Sequence, residues 1–420
     1  MNMTIDIIKQ TRHRLEQFIT PLLNLFGREE RRTQGQFYLH GLLLQDGRKT
    51  AAQMATRYHG NEQALQQFVN QSPWDDLPVR KALARQMEPL TPAEAAWVLD
   101  DTGFKKQGKH SVGVARQYTG TLKDVGNCQV AVTLHIATDQ GGYAVDTMLY
   151  LTEDWAADLK RRATVGIPPA VAFQTKWELG LALIDRARAW GLLDRVVLGD
   201  AAYGRAAELR AGLRERSLTY VLEVPCDTHL WEQETHPHPP VYIPGTPGKR
   251  PTKPVFPDST QVKAFARSLP RSAWKSVSWR HGSHQCLKGR FAAVRIWPAS
   301  NASRGSALEP ESWLLIEWPA GASAPTHYWL SNLPVDTPLR TFVQWAKRRW
   351  WIEEDYKELK QQVGLTHFTG RSWRGWHHHM TLTFMALAFL VAEGYQSKKK
   401  GEGGPSPRPN ANYRPCYGGC

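Results

Sequence analysis

The chain has 420 residues, with 53 Lys and Arg against 39 Asp and Glu, a net charge of +14 and an isoelectric point near 9.6. Its length allows two or three domains, and 41% hydrophobic with 22% charged residues excludes a wholly disordered chain. The basic balance argues against an acid-solubilised metabolic enzyme and for a polyanionic partner, nucleic acid first.

Five cysteines (Cys128, Cys226, Cys286, Cys416, Cys420) are scattered without a Cys-x-x-Cys pair, so neither a disulfide framework nor a zinc ribbon is expected, and a reducing cytosol fits. The longest apolar stretch, about Leu382 to Val391, is well short of the roughly 20 residues that span a bilayer, and the N-terminus carries no signal-peptide core. The expectation is a soluble, cytoplasmic protein with no membrane contact.

Residues 1 to about 92 read as helices, because Ile8, Leu15, Phe18, Ile19, Leu22 and Leu23, and later Leu65, Phe68 and Val69, recur near a 3.6 period. Turns at Asp46-Gly47 and His59-Gly60-Asn61 divide them, with Arg28, Arg31, Arg32, Arg48 and Lys49 near the breaks. A DNA-binding head and a helical cap with a solvated basic face are both open on these residues.

From Ala95 the period changes. Ala96 to Leu99 reads as a buried strand ending at Asp100-Asp101; Val130 to Ile136 and Val145 to Leu151 form a hairpin about Gly141-Gly142. A helix over about Thr175 to Trp190 follows, then a second buried strand, Val196 to Leu198, ending at Gly199-Asp200. A helix over about Ala206 to Arg216 and a strand over Leu218 to Val224 complete the order β-β-β-α-β-α-β. Eight prolines between Pro237 and Pro257 mark a loop. After them Phe291 to Trp297, Trp313 to Trp318 and Tyr328 to Leu330 read as short strands of a β-rich insertion with no helix long enough to interrupt them. The helical period returns after Asp336-Thr337-Pro338 and persists to about Val363; a further helix covers Met380 to Val391, and a basic tail reads as disordered.

Asp101 and Asp200 thus close two apolar runs, where two acids at one sheet rim can share a hard divalent cation; a cap or turn role is the other reading. The late helix, Arg348-Arg349-Trp350-Trp351-Ile352-Glu353-Glu354-Asp355-Tyr356-Lys357-Glu358-Leu359-Lys360, buries Trp345, Ile352, Tyr356, Leu359 and Val363 on one stripe. Arg349, Glu353 and Lys360 then line one edge, which fits either an active-site edge or surface ion pairs. Lys105, Lys106, Lys109, His110 and Arg116 follow the first acid and could hold a phosphodiester or form a solvated loop; Lys160-Arg161-Arg162 is a similar run. His377-His378-His379 with His367 do not read as a zinc site, since consecutive histidines on a helix diverge and no Cys lies nearby.

Asp-Thr after the first strand, Gly-Asp-Ala-Ala-Tyr-Gly after the fourth, and Arg-Trp-x-Ile-Glu-Glu-x-x-Lys-x-x-Lys in the late helix together resemble the DDE transposases of bacterial insertion sequences, over about residues 93 to 391. The resemblance is to the branch whose RNase H-like core carries a β-strand insertion and whose last helix reads Tyr-x2-Arg-x3-Glu-x6-Lys. Arg349, Glu353 and Lys360 match that signature position for position, with Ala346 at the Tyr position.

The resemblance implies an α/β fold, an RNase H-like mixed sheet flanked by helices. It divides as a helical DNA-binding domain (1–92), a catalytic core in two parts (93–225 and 336–395) around the β-rich insertion (226–335), and a tail (396–420). It implies Asp101, Asp200 and Glu353 as a metal-binding catalytic triad for Mg²⁺, with Mn²⁺ as an alternative ion. Asp101 is preferred to Asp100 because the family's first acid directly precedes Thr, and Glu353 to Glu354 by its spacing from Arg349. DNA contacts fall to Arg349, Lys360, Lys105, Lys106 and Lys109, and Trp313, Trp318, Tyr328 and Trp329 occupy the segment from which related enzymes stack a ring on a flipped base. The implied function is cut-and-paste transposition by a homodimer in a synaptic complex on terminal inverted repeats and target DNA, in the nucleoid of a bacterial cytoplasm. A nuclease that cuts without joining and a DNA-binding protein that no longer catalyses are the alternatives.

Overall fold

The computed structural model describes residues 2–120, 124–139, 141–239, 255–281, 286–299 and 308–399. Five helices open the chain: α1 (Asn2–Leu23), α2 (Glu29–Leu44), α3 (Ala51–Tyr58), α4 (Glu62–Asn70) and α5 (Asp76–Met87). The side chains of Thr50, Asn61 and Asp75 accept the first unpaired backbone N–H groups of α3, α4 and α5, which is why the helices start there. Strands β1 (Ala96–Lys105), β2 (Ala115–Thr119), β3 (Asp124–Thr138) and β4 (Gly141–Tyr150) follow, then α6 (Glu153–Ala157), α7 (Leu159–Val165) and α8 (Lys176–Ala189). Thr175 and Glu178 form a reciprocal capping box at the start of α8. Next come β5 (Val197–Gly199), α9 (Ala201–Gly204), α10 (Ala207–Glu215), β6 (Tyr220–Val224), β7 (His229–Trp231), β8 (Thr260–Gln261) and α11 (Val262–Ser268). The chain continues through β9 (Lys275–His281), β10 (Cys286–Pro298), β11 (Ser312–Trp318), β12 (His327–Ser331), α12 (Leu339–Arg348), α13 (Trp351–Gln361) and α14 (Trp373–Lys399).

These elements form two compact units, one from Met1–Asp194 with the segment from Trp350 on, the other from Arg195–Arg349. In the first, β3 pairs antiparallel with β1, β2 and β4. The helical head is not separate from this sheet. Helices α2, α4 and α5 pack on α14; Tyr38 Oη lies 2.9 Å from His379 Nδ1, the Trp74 ring stacks on His378 at 3.6 Å, and buried Arg80 of α5 pairs with both Asp76 and Asp146 of β4. The head helices thus pack on α14 as well as on each other, and the compact unit they belong to also holds β1–β4 and α14.

In the second unit β5 and β6 run parallel, and β12, β11 and β10 extend them antiparallel; β9 and β7 pair with β10, and β8 with β7. The strands of the insertion thus continue a mixed sheet. Helix α11 is short and precedes the aromatic-rich strands: Val262, Phe265 and Ala266, spaced three and four apart, bury against Leu230, Leu314 and Ile316. Each unit is α/β, a sheet flanked by helices.

Four differences from the sequence reading follow from pairing and packing. Strand β1 does not stop at Asp100 but stays paired with β3 out to Lys105 opposite Cys128. Strand β2, unexpected, pairs along β3. The single helix expected over 340–363 is two, interrupted at Arg349-Trp350, where the neighbouring indoles of Trp350 and Trp351 pack on each other at 5.1 Å. Helix α14 begins at Trp373 and continues to Lys399; the tail beyond it, and most of the proline-rich segment, lie outside the described residues. Among the described residues no helix is long and apolar enough to cross a membrane.

Candidate active site

Position on β1 decides the surroundings of the two acids. Asp100 lies opposite Thr133 and Asp101 opposite Val132, and because side chains alternate along a strand, the two carboxylates point to opposite faces. On the Asp100 face, the Thr133 hydroxyl lies 2.5 Å from Tyr356 Oη of α13. Asp355 of α13 anchors the same helix, accepting the Gly142 N–H at 3.2 Å and lying 3.5 Å from buried His135. A Cβ on Gly142 would meet the Ile136 carbonyl at 2.2 Å and Asp355 at 2.4 Å, so only glycine admits this approach. On the other face, Asp101 is ion-paired with Lys176, the first residue of α8.

Two side chains of α13 respond to these acids. Burial lowers the Lys360 pKa below that of an ordinary lysine, while Asp100 and then Asp101 act in the opposite direction; its ammonium lies 5.4 Å over the Tyr356 ring. Burial, with Asp100 next, pushes the Tyr356 hydroxyl well above the usual phenol range, so it stays protonated and is available as a donor. Glu353, on the same helix, is exposed. Glu354 is half-buried and lies 3.7 Å from Lys357.

Asp200 directly follows β5, as expected for an acid ending a strand, and caps α9: its Oδ1 accepts the backbone N–H groups of Ala202 at 3.0 Å and Tyr203 at 3.3 Å. The glycines of Gly-Asp-Ala-Ala-Tyr-Gly have a steric reason. A Cβ on Gly204 would stand 1.8 Å from the Glu223 carbonyl of β6, so α9 reaches the sheet only through glycine.

The other expected contacts divide. Lys105 and Lys109 are exposed, but Lys106 turns inward, donating to the Phe368 carbonyl at 2.9 Å. Arg349 closes α12, and its charge acts on Glu223. Burial opposes ionisation of Glu223, yet the His327 hydrogen bond at 2.8 Å and the charges of Arg349, His327 and Lys347 hold its pKa below the ordinary carboxylate value. Trp329 is only 5% exposed, with His327 stacked on it at 5.8 Å and the Lys347 ammonium 5.4 Å from the ring, so its burial fits a core role rather than a ring presented to a base. Arg162 is structural, donating to the carbonyls of Ala156, Pro168, Pro169 and Val171. His377, His378 and His379 diverge to separate partners, the Trp373 carbonyl, those of Val69 and Trp74, and Tyr38 with the Leu365 carbonyl.

The sequence reading did not single out Lys176 or Thr133. The Thr-Lys at the α8 capping box was a legible helix start, but its pairing with Asp101 depends on how α8 crosses the strands. Oxygen donors such as Asp100, Asp200 and Glu353 are the ligand type that hard divalent ions take, so the chemistry of the donor set fits such an ion. Among the described residues no three His, Cys, Asp or Glu side chains are gathered as a ready ligand set.

Comparison with known proteins bears on the segments that carry Asp100, Asp101 and Asp200. The profile of the DDE superfamily endonuclease family matches residues 21–286. A probable transposase for insertion sequence element IS701 from Microchaete diplosiphon is 25% identical over 336 residues, 79% of this chain and 75% of that protein. A cryo-EM structure of the piggyBac transposase synaptic complex with hairpin DNA aligns over 89% of this chain and 67% of its own, with 12% identity and a TM-score of 0.43. The family implied by Asp-Thr, Gly-Asp-Ala-Ala-Tyr-Gly and the late Glu is the one found: this chain belongs to the DDE superfamily endonuclease family.

Proposed function

We propose that this chain is an insertion-sequence transposase that cuts DNA at the element's ends and joins the 3′ ends to a target. The family match and the IS701 relative support the class. The observation that carries the chemistry is the approach of α13 to the Asp100 face, which brings Lys360 and Tyr356 against an acid and puts Glu353 on the helix that covers it.

In this reading Asp200, Glu353 and an acid of the Asp100-Asp101 pair would hold Mg²⁺ or Mn²⁺. Facing supports Asp100 over Asp101, since Asp100 shares the Thr133 face that α13 covers while Asp101 points to Lys176. A bound pair of divalent ions supplies Lewis-acid activation of an attacking water or 3′-hydroxyl and neutralises the leaving oxygen. The chain's own part is positional. Lys360 is a long cation within reach of the charges of Asp100 and Asp101, able to orient a phosphate oxygen by a charge-assisted hydrogen bond. Tyr356 fixes the helix on Thr133 and keeps a neutral donor there. Arg349, Lys105 and Lys109 contribute backbone contacts to DNA, and excision at two ends calls for two copies of the chain held together.

Incubating the purified chain with Mg²⁺ and duplexes carrying the inverted repeats that flank its reading frame tests this. Joined products support the reading. Nicks without joining would make it a nuclease, and binding without cleavage an inactive descendant.

A further inference from the structure

We propose that the loop between α2 and α3, the end of β1 and the turn after α13 form a binding site for a DNA backbone phosphate, separate from Asp100 and Glu353, with Arg48, Lys106 and His367 as its donors. The inference rests on the reading of the chain as an enzyme acting on DNA, and extends contact with the substrate to the helical head.

Three segments distant in sequence meet at two neighbouring residues. The backbone N–H of Lys49 donates to His367 Nδ1 at 3.0 Å, and Lys106 Nζ donates to the carbonyl of the next residue, Phe368, at 2.9 Å. Because Nδ1 of His367 accepts, the neutral ring carries its proton on Nε2 and offers it as a donor. Gly364 makes the close approach possible. It sits at φ +77°, and a Cβ there would meet His367 Nδ1 at 2.9 Å and Lys49 Cβ at 3.0 Å. Lys49 turns its ammonium inward to the Leu42 carbonyl, whereas Arg48 beside it is exposed.

Cationic charge is concentrated here, with Asp46 of the same loop acting against it at Lys49. Among the described residues no carboxylate pairs with Arg48 or Lys106; the nearest acid in the loop, Asp46, lies 3.5 Å from Arg57. Burial and the charge of Arg48 push Lys106 down to about 8. Burial, Arg48 and Lys49 lower His367 as well. Cations crowded so that each disfavours the other's charge are relieved by an anion, and a phosphodiester matches two cationic donors and one neutral N–H. The site joins head, sheet and α13 within one compact unit, so a phosphate seated there would tie the DNA path across the head to the helix that carries Glu353.

The test is the salt dependence of duplex binding by the full chain, with a random-sequence duplex as probe. Each phosphate contact contributes about 0.9 to the slope of log affinity against log salt. Arg48→Ala should lower the slope by about one and weaken binding about fivefold near 0.15 M salt, equally for end and random sequences; Lys106→Met should do the same, and Arg48→Lys should restore both quantities. Arg48 is exposed, so its variant tests the site even where Lys106→Met fails to fold. If the full chain binds duplex DNA and Arg48→Ala keeps the wild-type affinity and slope, this site is overturned while the functional reading stands. If the full chain binds no duplex at all, the functional reading falls with it.

Discussion

Asp100 and Asp101 are neighbours in β1 with opposite allegiances: Asp100 lies opposite Thr133 and faces α13, while Asp101 is ion-paired with Lys176 of α8. In the proposed reading Asp101 is held by Lys176, and Asp100, on the face covered by the helix that carries Glu353, is the acid that would bind an ion.

Asp100→Asn is therefore expected to lower DNA cleavage by about 10²–10³-fold, the scale of removing one electrostatic stabiliser from an active site, with duplex binding kept. Asp101→Asn loses a partly exposed ion pair worth at most about 1 kcal/mol and should stay within about fivefold of wild type. Single-turnover cleavage of end DNA by both variants checks this; the reverse order of defects would return the assignment to Asp101.

Lys360→Ala should slow cleavage about 10–100-fold, as loss of a hydrogen bond to a charged group predicts, with only a small change in affinity. Arg349→Ala, which closes α12 and acts on Glu223, should weaken DNA processing partially. Cleavage rates beside binding constants separate the two, and a cooperative melt unchanged from wild type excludes a folding defect.

Acid should destabilise the fold well above the carboxylate range. Burial holds His377, His378 and His379 down to about 4, although two carbonyls flank His378, and an unfolded histidine titrates near 6.5. Between those values the unfolded chain binds more protons than the folded one. Stability is therefore full above about pH 6.5 and falls as pH drops towards 4, by up to about 4 kcal/mol per pH unit if all three respond. Thermal melting between pH 7.5 and 5 measures it; a midpoint constant across that range would contradict the neutral, buried rings.

Removal of the head should unfold the unit rather than release a trimmed enzyme. A chain starting at Thr91 loses the Tyr38 partner of His379, the Trp74 stack on His378 and the Arg80 pairing to Asp146, leaving that buried carboxylate to Arg186 and uncovering the apolar face of α14. Soluble yield and a melting curve report it, and a cooperative transition in the shortened chain would show the head to be an independent module.

The elements legible in the sequence are those specified by local signals. The α8 boundaries follow from the Thr175–Glu178 cap, the β3–β4 hairpin from alternation about Gly141-Gly142, and Asp200 from its place after an apolar run. What was not legible depends on partners far along the chain. Strand β1 outruns its apolar stretch because β3 continues to pair with it. Alternation assigns Asp100 and Asp101 to opposite faces, but which face α13 covers emerges only from Thr133, His135 and Gly142. The break at Arg349-Trp350 was hidden by an apolar period that continues through it, and burial of Trp329 by the sheet and Lys347 has no local signature.

Strand transfer by the full chain on its own inverted-repeat ends with Mg²⁺, compared between wild type and Glu353→Gln, decides whether the α13 carboxylate belongs to the cutting site. End cleavage and joined products are expected for the wild type, and for Glu353→Gln DNA binding within about twofold with both reactions lost. Cleavage and joining by Glu353→Gln at wild-type rates would contradict that expectation.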